Sequence, residues 1–370
     1  MHLIKQGLRA NADILAVLAL FAAILPFSGG SFSFYRESLG LPLLCKLFCI
    51  MTVVAGMREY GILNFLVRHL LPAECSLRRL GVSLTFGCFF LSMAVTNDVS
   101  LIMLVPLTLE ILRRCGHLEC AVWIVTLQTI AANMGSMLTP MGNPQNLFIF
   151  EHYHVRAANF LQVTLPVTVA CALLLSLAAL RLPKDIRIVP AAAAGHLSVR
   201  VSLLLGALFA LCLAAVFRAL RPEIALLCVL AAMNLLKGRL LLKADFHLLG
   251  LFVALFLLTA ALSRLEAVQA LPQLLKGHVY LASVLLSQAI SNVPAAVLLS
   301  HWTSDWQTLL LGVSCGGLGT LIASMASLIS WRAVSRELKD SLKSYFWTFA
   351  LANAALLLLL SAALAASGAI

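Results

Sequence analysis

Long apolar runs separated by short polar or basic stretches dominate the chain. Ile14 to Phe27, Leu39 to Met57, Phe160 to Leu180, Val199 to Phe217, Ile224 to Leu236, Phe246 to Leu262 and Phe346 to Ala366 mostly approach the roughly 20 residues of a membrane-spanning helix. Their apolar positions are continuous rather than alternating, which predicts an all-α polytopic membrane protein and excludes a membrane β-barrel. Two segments do not fit single crossings. Leu80 to Leu112 is too long for one, and His278 to Trp302 is too short for two. Each carries a polar hexamer near its middle, SMAVTN at 92–97 and SQAISN at 287–292, with the same order of hydroxyl, three residues, hydroxyl and asparagine. The economical reading is a re-entrant helical hairpin at 80–112 and another at 278–304, each turning at about mid-depth.

A second pattern follows each hairpin. NMGSMLTPMGNPQN at 133–146 carries glycines and two prolines that a regular helix does not accommodate, so 119–152 reads as a broken helix unwound over Leu138 to Gln145. GGLGTLIASMASLIS at 316–330 reads as the break in a second such helix over 306–331, with Gly135-Ser136 set against Gly319-Thr320 and Gly142-Asn143 against Ala326-Ser327. The expected organisation has about ten to eleven helical elements in two halves, 1–181 and 199–370, joined by a basic, proline-containing linker at 182–198.

Composition agrees with a bilayer as solvent: 62% of residues are hydrophobic, 11% are charged and the mean hydropathy is +1.00. The net charge of +11 reads as membrane topology rather than nucleic-acid binding. With the N-terminus in the cytoplasm, most basic residues, from Lys5 and Arg9 to Lys339 and Lys343, fall inside. Only Arg36, Arg156, Arg218, Arg221, Arg264 and Lys276 fall outside, and Lys46 lies within a helix. The same placement inserts the two hairpins from opposite faces, as an inverted repeat requires. A signal peptide cleaved near Ser28 to Ser31 is conceivable, but a retained first helix agrees better with this charge pattern.

The ten cysteines lie mainly in apolar stretches without a C-x-x-C pair, so they read as small core residues. Glu151, His152 and His154 have the chemistry of metal ligands but no second cluster beside them. No aspartyl-pair, serine-nucleophile, zinc-helix or P-loop motif occurs, so the chain is not expected to be an enzyme.

A small cation at mid-membrane needs oxygen ligands, which asparagine amides, hydroxyls and freed carbonyls provide. Ser92 and Thr96 lie one helical turn apart and lead into Asn97; Ser287, Ser291 and Asn292 repeat the arrangement. An anion would be served instead by the half-helix N-termini that begin after Asn97 and Asn292. Asp98, an acid near the bilayer centre, reads as a cation ligand, a proton carrier or a cap on the following half-helix.

TNDVSLIMLVPL, GSMLTPMGNPQNLF, SQAISNVPAAVLL and GGLGTLIASMASLI together resemble the ion transporter superfamily, which includes divalent anion/sodium symporters, citrate transporters, arsenite permeases and D-type sodium/proton antiporters. The likeness covers nearly the whole chain and is nearest to bacterial inner-membrane permeases. It implies a homodimer working as an elevator, in which a transport unit carrying both hairpins slides against a static scaffold. It further implies one sodium site at Ser92, Thr96, Asn97 and Gly142, beside Asp98, and another at Ser287, Ser291, Asn292 and Ala326. Substrate would lie between Asn97, Asn143, Pro144, Asn146, Asn292, Val293 and Ser327. The chain departs from the anion symporters at Asp98 and Val293, where they carry a substrate-binding threonine. The implied function is sodium- or proton-coupled transport of a small anionic solute. Sodium/proton antiport through Asp98 and arsenite-type efflux stay open.

Overall fold

A computed structural model of the chain describes residues 11–69, 74–184, 186–188, 198–268 and 270–370. Lys5, Arg9 and most of the expected linker, 185 and 189–197, lie outside the described residues.

The described residues are almost entirely helical, and seven helical segments among them are long and apolar enough to cross a membrane. One group begins with α1 (Ala12–Ser28), the short α2 (Phe32–Glu37) and α3 (Leu41–Glu59), with α4 (Ile62–His69) following it. To these are added α10 (Val199–Val216), α11 (Pro222–Lys237) and α12 (Phe246–Leu262), with α1 packed on α12 and α3 packed on α10 and α11.

The first hairpin is α5 (Leu77–Ala94) and α6 (Asn97–Arg114), and the first broken helix is α7 (Ala121–Ser136) and α8 (Pro144–His152), followed by α9 (Ala157–Ala179). After the short α13 (Leu271–Leu275), the second hairpin is α14 (Val279–Ile290) and α15 (Asn292–Ser300). The second broken helix is α16 (Trp306–Gly316) and α17 (Met325–Glu337), and α18 (Leu342–Ala366) ends the chain. Local chemistry sets these starts. Ser76, Asp245, Asp305 and Ser324 cap α5, α12, α16 and α17, and Pro144 opens α8, where a missing N–H costs nothing.

The hairpins differ in one respect from the length argument. At 1.5 Å per residue the arms of the second, 12 and 9 residues, are each too short to cross. Those of the first have 18 residues each, about 27 Å, so length alone does not make it re-entrant. Its tip is defined instead by contact with the break between α7 and α8.

Side-chain contacts place the two hairpin mouths at opposite ends of the molecule. At one end Arg78 Nε donates to Leu182 O at 2.8 Å and Trp123 Nε1 to Ala178 O at 3.1 Å, while Arg113 pairs with Glu337. Strand β1 (Cys75–Ser76) pairs there with β2 (Arg187–Ile188). The starts of α5 and α7 therefore share a face with the ends of α6, α9 and α17. At the other end the Tyr153 hydroxyl donates to Ser300 O at 3.1 Å and Thr303 O at 2.8 Å, and Tyr280 meets Ser361 at 2.7 Å. The ends of α8, α15 and α18 gather there.

This second end also holds a buried ion pair. Lys46 Nζ of α3 lies 2.7 Å from Glu151 Oε1 of α8, and Lys46 is 4% exposed. Arg218 stands 3.7 Å from the same oxygen, donates to Phe150 O at 2.6 Å and lies over the Phe150 ring. Glu151 is thus engaged by cations of the chain itself. Lys46→Met should cost up to about 3–5 kcal/mol in unfolding free energy, because the Glu151 charge then keeps only the more distant Arg218. The double substitution K46M/E151Q should recover most of it, and thermal unfolding in detergent checks both.

Candidate functional site

Each hairpin tip closes on the break of its own half. The Asn97 backbone N–H donates to Gly142 O at 3.2 Å, and the Asn292 N–H to Ala323 O at 3.0 Å. Thr139 Oγ1 donates to Met93 O at 2.6 Å, and Thr320 Oγ1 to Gln288 O at 3.3 Å. A Cβ on Gly135 would stand 2.8 Å from Ser92 Oγ, and one on Gly316 would stand 2.8 Å from Ser287 Oγ, so glycine is what lets each first arm lie against its broken helix.

The pairs Gly135/Gly316, Thr139/Thr320 and Gly142/Ala323 keep one offset, which corrects the sequence alignment by three residues. Ala323, not Ala326, is the counterpart of Gly142. Ser324 answers Asn143 in backbone shape too, with φ/ψ of −145°/140° against −144°/145°. Ser327 answers Asn146. The misreading came from matching Gly135-Ser136 to Gly319-Thr320; the second helix already ends at Gly316, before that pair. At the second tip Ser291 has φ 75° and ψ 155°, a region nearly reserved for glycine, so the turn there is held under strain.

The freed carbonyls of the breaks have partners. Asn146 Nδ2 donates to Ser136 O at 3.0 Å, Met137 O at 3.3 Å and Thr139 O at 3.1 Å. In the second half Gln288 Nε2 donates to Gly316 O at 2.8 Å and Leu318 O at 2.9 Å, while its Oε1 accepts from Thr320 N at 2.8 Å. Asn133 joins the halves: its Oδ1 accepts from Asn97 Nδ2 at 3.2 Å and Ser324 Oγ at 2.9 Å. Its own Nδ2 reaches Gly317 O at 3.5 Å.

Two cavities meet at this centre. The larger, about 610 Å³, is lined at its polar end by Asn97, Asp98, Asn143, Pro144, Gln145, Ser291, Asn292, Val293 and Ser324. Its other walls are mainly apolar side chains of α1, α12 and α14, with Asp13, Asp245 and His247 at the rim. The smaller, about 320 Å³, adjoins it through Asp98, Asn143, Pro144 and Asp245 and runs past Thr96 to Arg58 and Lys243. Four half-helices begin here, α6, α8, α15 and α17, so four positive dipole ends converge. Thr96 and Ser324 cap two of them; α8 and α15 have no side-chain cap, and since Pro144 and Pro294 carry no N–H and Asn292 gives its own to Ala323 O, the cavity-lining amides left in those first turns are those of Gln145 and Val293. Asp98 lies in the first turn of α6 with Oδ1 buried and without a partner, and buried Asn143 has an unpartnered Oδ1 as well.

The predicted substrate residues Asn97, Asn143, Pro144, Asn292 and Val293 are therefore brought together, whereas Asn146 and Ser327 lie behind the lining. Most of the predicted cation residues make hydrogen bonds within the protein in this arrangement. Ser92 Oγ donates to Phe89 O at 2.8 Å and Ser287 Oγ to Ser283 O at 2.7 Å, each facing a glycine. Ser291 Oγ leans on Ala323 O at 3.4 Å, and the carbonyls of Gly142 and Ala323 already accept from the tips. Ala326 is buried in α17 outside the cavity. Sequence reading passed over Asn133, Gln288, Asp13, Asp245 and His247. The acids at the starts of apolar runs were a usable signal for Asp13 and Asp245, but nothing in spacing marks Asn133 or Gln288.

Helices long and apolar enough to cross a membrane, with hairpin tips that meet helix breaks beside a cavity, are the architecture of a membrane transporter. A family model described as a citrate transporter matches residues 8–307, and the chain belongs to that family. It is 34% identical to a protein named uncharacterized transporter MJ0456 from Methanocaldococcus jannaschii, over 78% of this chain and 79% of that one. It is 32% identical to the inner membrane protein YbiR of Escherichia coli, over 76% and 77%. A silicon efflux transporter, LSI3, of Oryza sativa subsp. japonica is 32% identical over 36% of this chain and 27% of its own.

Asn133→Ala should strand Asn97 Nδ2, Ser324 Oγ and Gly317 O. The loss should be about 1–3 kcal/mol for each group left unsatisfied, read by thermal unfolding. Asn133→Asp, which keeps both acceptor contacts, should lose less.

Proposed function

We propose that this transporter carries a small anionic solute, coupled to a proton on Asp98. The observation behind this reading is the convergence of four half-helix N-termini on a cavity where the charged side chain beside those tips is the carboxylate of Asp98. The converging dipole ends and the uncapped N–H groups of α8 and α15 favour one negative charge. When ionised, Asp98 supplies it and repels a second anion. When protonated, Asp98 leaves the field to the solute. Proton and anion therefore enter together. Asp245, facing both cavities from the cap of α12, adds repulsion against an ionised Asp98.

Movement follows from the same contacts. The smaller cavity runs toward Arg58 and Lys243, the end that basic residues assign to the cytoplasm, while Lys46, Glu151 and Arg218 close the other end. In this reading the arrangement is inward-facing, and the hairpins with their broken helices travel as an elevator against α1, α3 and α10 to α12. A homodimer in a plasma membrane, with the N-terminus inside, completes the proposal; one relative is named an inner membrane protein. A second reading is proton-driven efflux of a weak oxyacid. It is favoured by the Thr-Asn-Asp tip and by the relative named a silicon efflux transporter.

Proteoliposomes with an imposed pH gradient separate these. Citrate uptake should follow the inward proton gradient in the wild type, and its apparent affinity should rise as pH falls. In Asp98→Asn the gradient-driven accumulation should drop at least tenfold, and the pH dependence should flatten. Unchanged gradient-driven uptake in the variant would remove Asp98 from coupling. Silicic acid movement in place of citrate would favour the second reading.

A further inference from the structure

We propose that the amides of Asn146 and Gln288 permanently fill the carbonyl cages of the two breaks, so that this transporter has no sodium site and needs none. The inference goes beyond the proton and anion reading and does not depend on which solute is carried.

A helix broken at mid-depth exposes carbonyls that must find a positive partner inside the protein. A bound sodium ion is one answer, a pair of amide hydrogens another, since a carboxamide nitrogen carries two donors and no net charge. In the first break Asn146 Nδ2 sits within 3.0–3.3 Å of three consecutive-loop carbonyls, those of Ser136, Met137 and Thr139. In the second, Gln288 Nε2 sits at 2.8 and 2.9 Å from those of Gly316 and Leu318. A Cβ on Gly319 would run into the Gln288 side chain, and Gly319 has φ +107°, so the loop is shaped around that amide. Asn146 is fully buried. The neighbouring carbonyls of the breaks, Gly142 O and Ala323 O, take the N–H groups of Asn97 and Asn292.

The carbonyls of each cage lie at the C-terminal ends of α7 and α16, the negative ends of their dipoles, and the amide hydrogens meet that partial charge without bringing a net charge of their own. The repeats reach this result by different routes. By the register of the contacts, Ser327 stands where Asn146 does and Met93 where Gln288 does, and neither could replace its counterpart. Each break therefore has its own tethered plug, from α8 in the first half and from the hairpin arm α14 in the second.

The test is thermal unfolding of detergent-purified full-length protein in sodium, potassium and choline chloride at matched ionic strength, for the wild type, Asn146→Asp and Gln288→Glu. Both substitutions keep shape but turn the donor into an acceptor facing carbonyls. The wild type should melt at the same temperature in all three salts. Each variant should melt lower in choline and recover several degrees selectively in sodium at neutral pH, because the new carboxylate and the carbonyls together form a cation site. A sodium-selective rise in the wild type would overturn the proposal. So would folded variants with no recovery in sodium. If one variant does not fold, the other decides. A failure of proton-coupled uptake would leave these melting temperatures untouched, so the two ideas fail separately.

Discussion

A peptide carbonyl released from a helix in the hydrocarbon region has no water to turn to, and leaving it unpaired costs several kcal/mol. Two helices of this transporter are broken inside the protein, so the fold must deliver donors to both breaks from within. Hairpin tips do this. Asn97 and Asn292 offer backbone N–H groups to Gly142 and Ala323, and hydroxyls of the breaks answer the last carbonyls of the first arms. The demand is mutual, because each tip also ends one helix and starts another. Gly135 and Gly316 are small so that these partners can come within reach.

The chemistry of the cavity is a by-product of that solution. Four helices must restart where two helices break and two hairpins turn, and restarting helices point N–H groups at one place. Two of the four starts are capped by Thr96 and Ser324, which leaves the other two to face the cavity. Asp98 sits in this field with an unpartnered oxygen, which is why the proposed function places the coupling proton there. Asn133 binds the tip of one half to the break of the other, so the two halves of the site are not free to shift independently.

Much of this architecture was legible in the chain because its causes are local. Apolar length gave the spanning helices, the shared hexamers marked the tips, and Pro140, Pro144 and Gly142 marked the first break. The second break lacks proline, and there the alignment slipped by three residues, since Gly316 and Gly317 end the helix before Gly319-Thr320 is reached. Asn133 and Gln288 were passed over because their partners are distant in sequence or lie in a different element, and periodicity is silent about both. Sequence shows how many acceptors a site has, but not that Asn146 and Gln288 have already met their carbonyls.

The account rests on two hairpins that enter from opposite faces and meet at the centre. Its most direct measurement is the sidedness of single cysteines placed at Arg114 and at Thr303, one at each hairpin mouth, in a background without the ten native cysteines. Labelling with a membrane-impermeant thiol reagent in vesicles of known orientation should find the position at 114 open only to the cytoplasmic side and that at 303 open only to the other. Labelling of both from the same side would contradict the opposed insertion, and with it the paired tips and breaks on which the cavity depends.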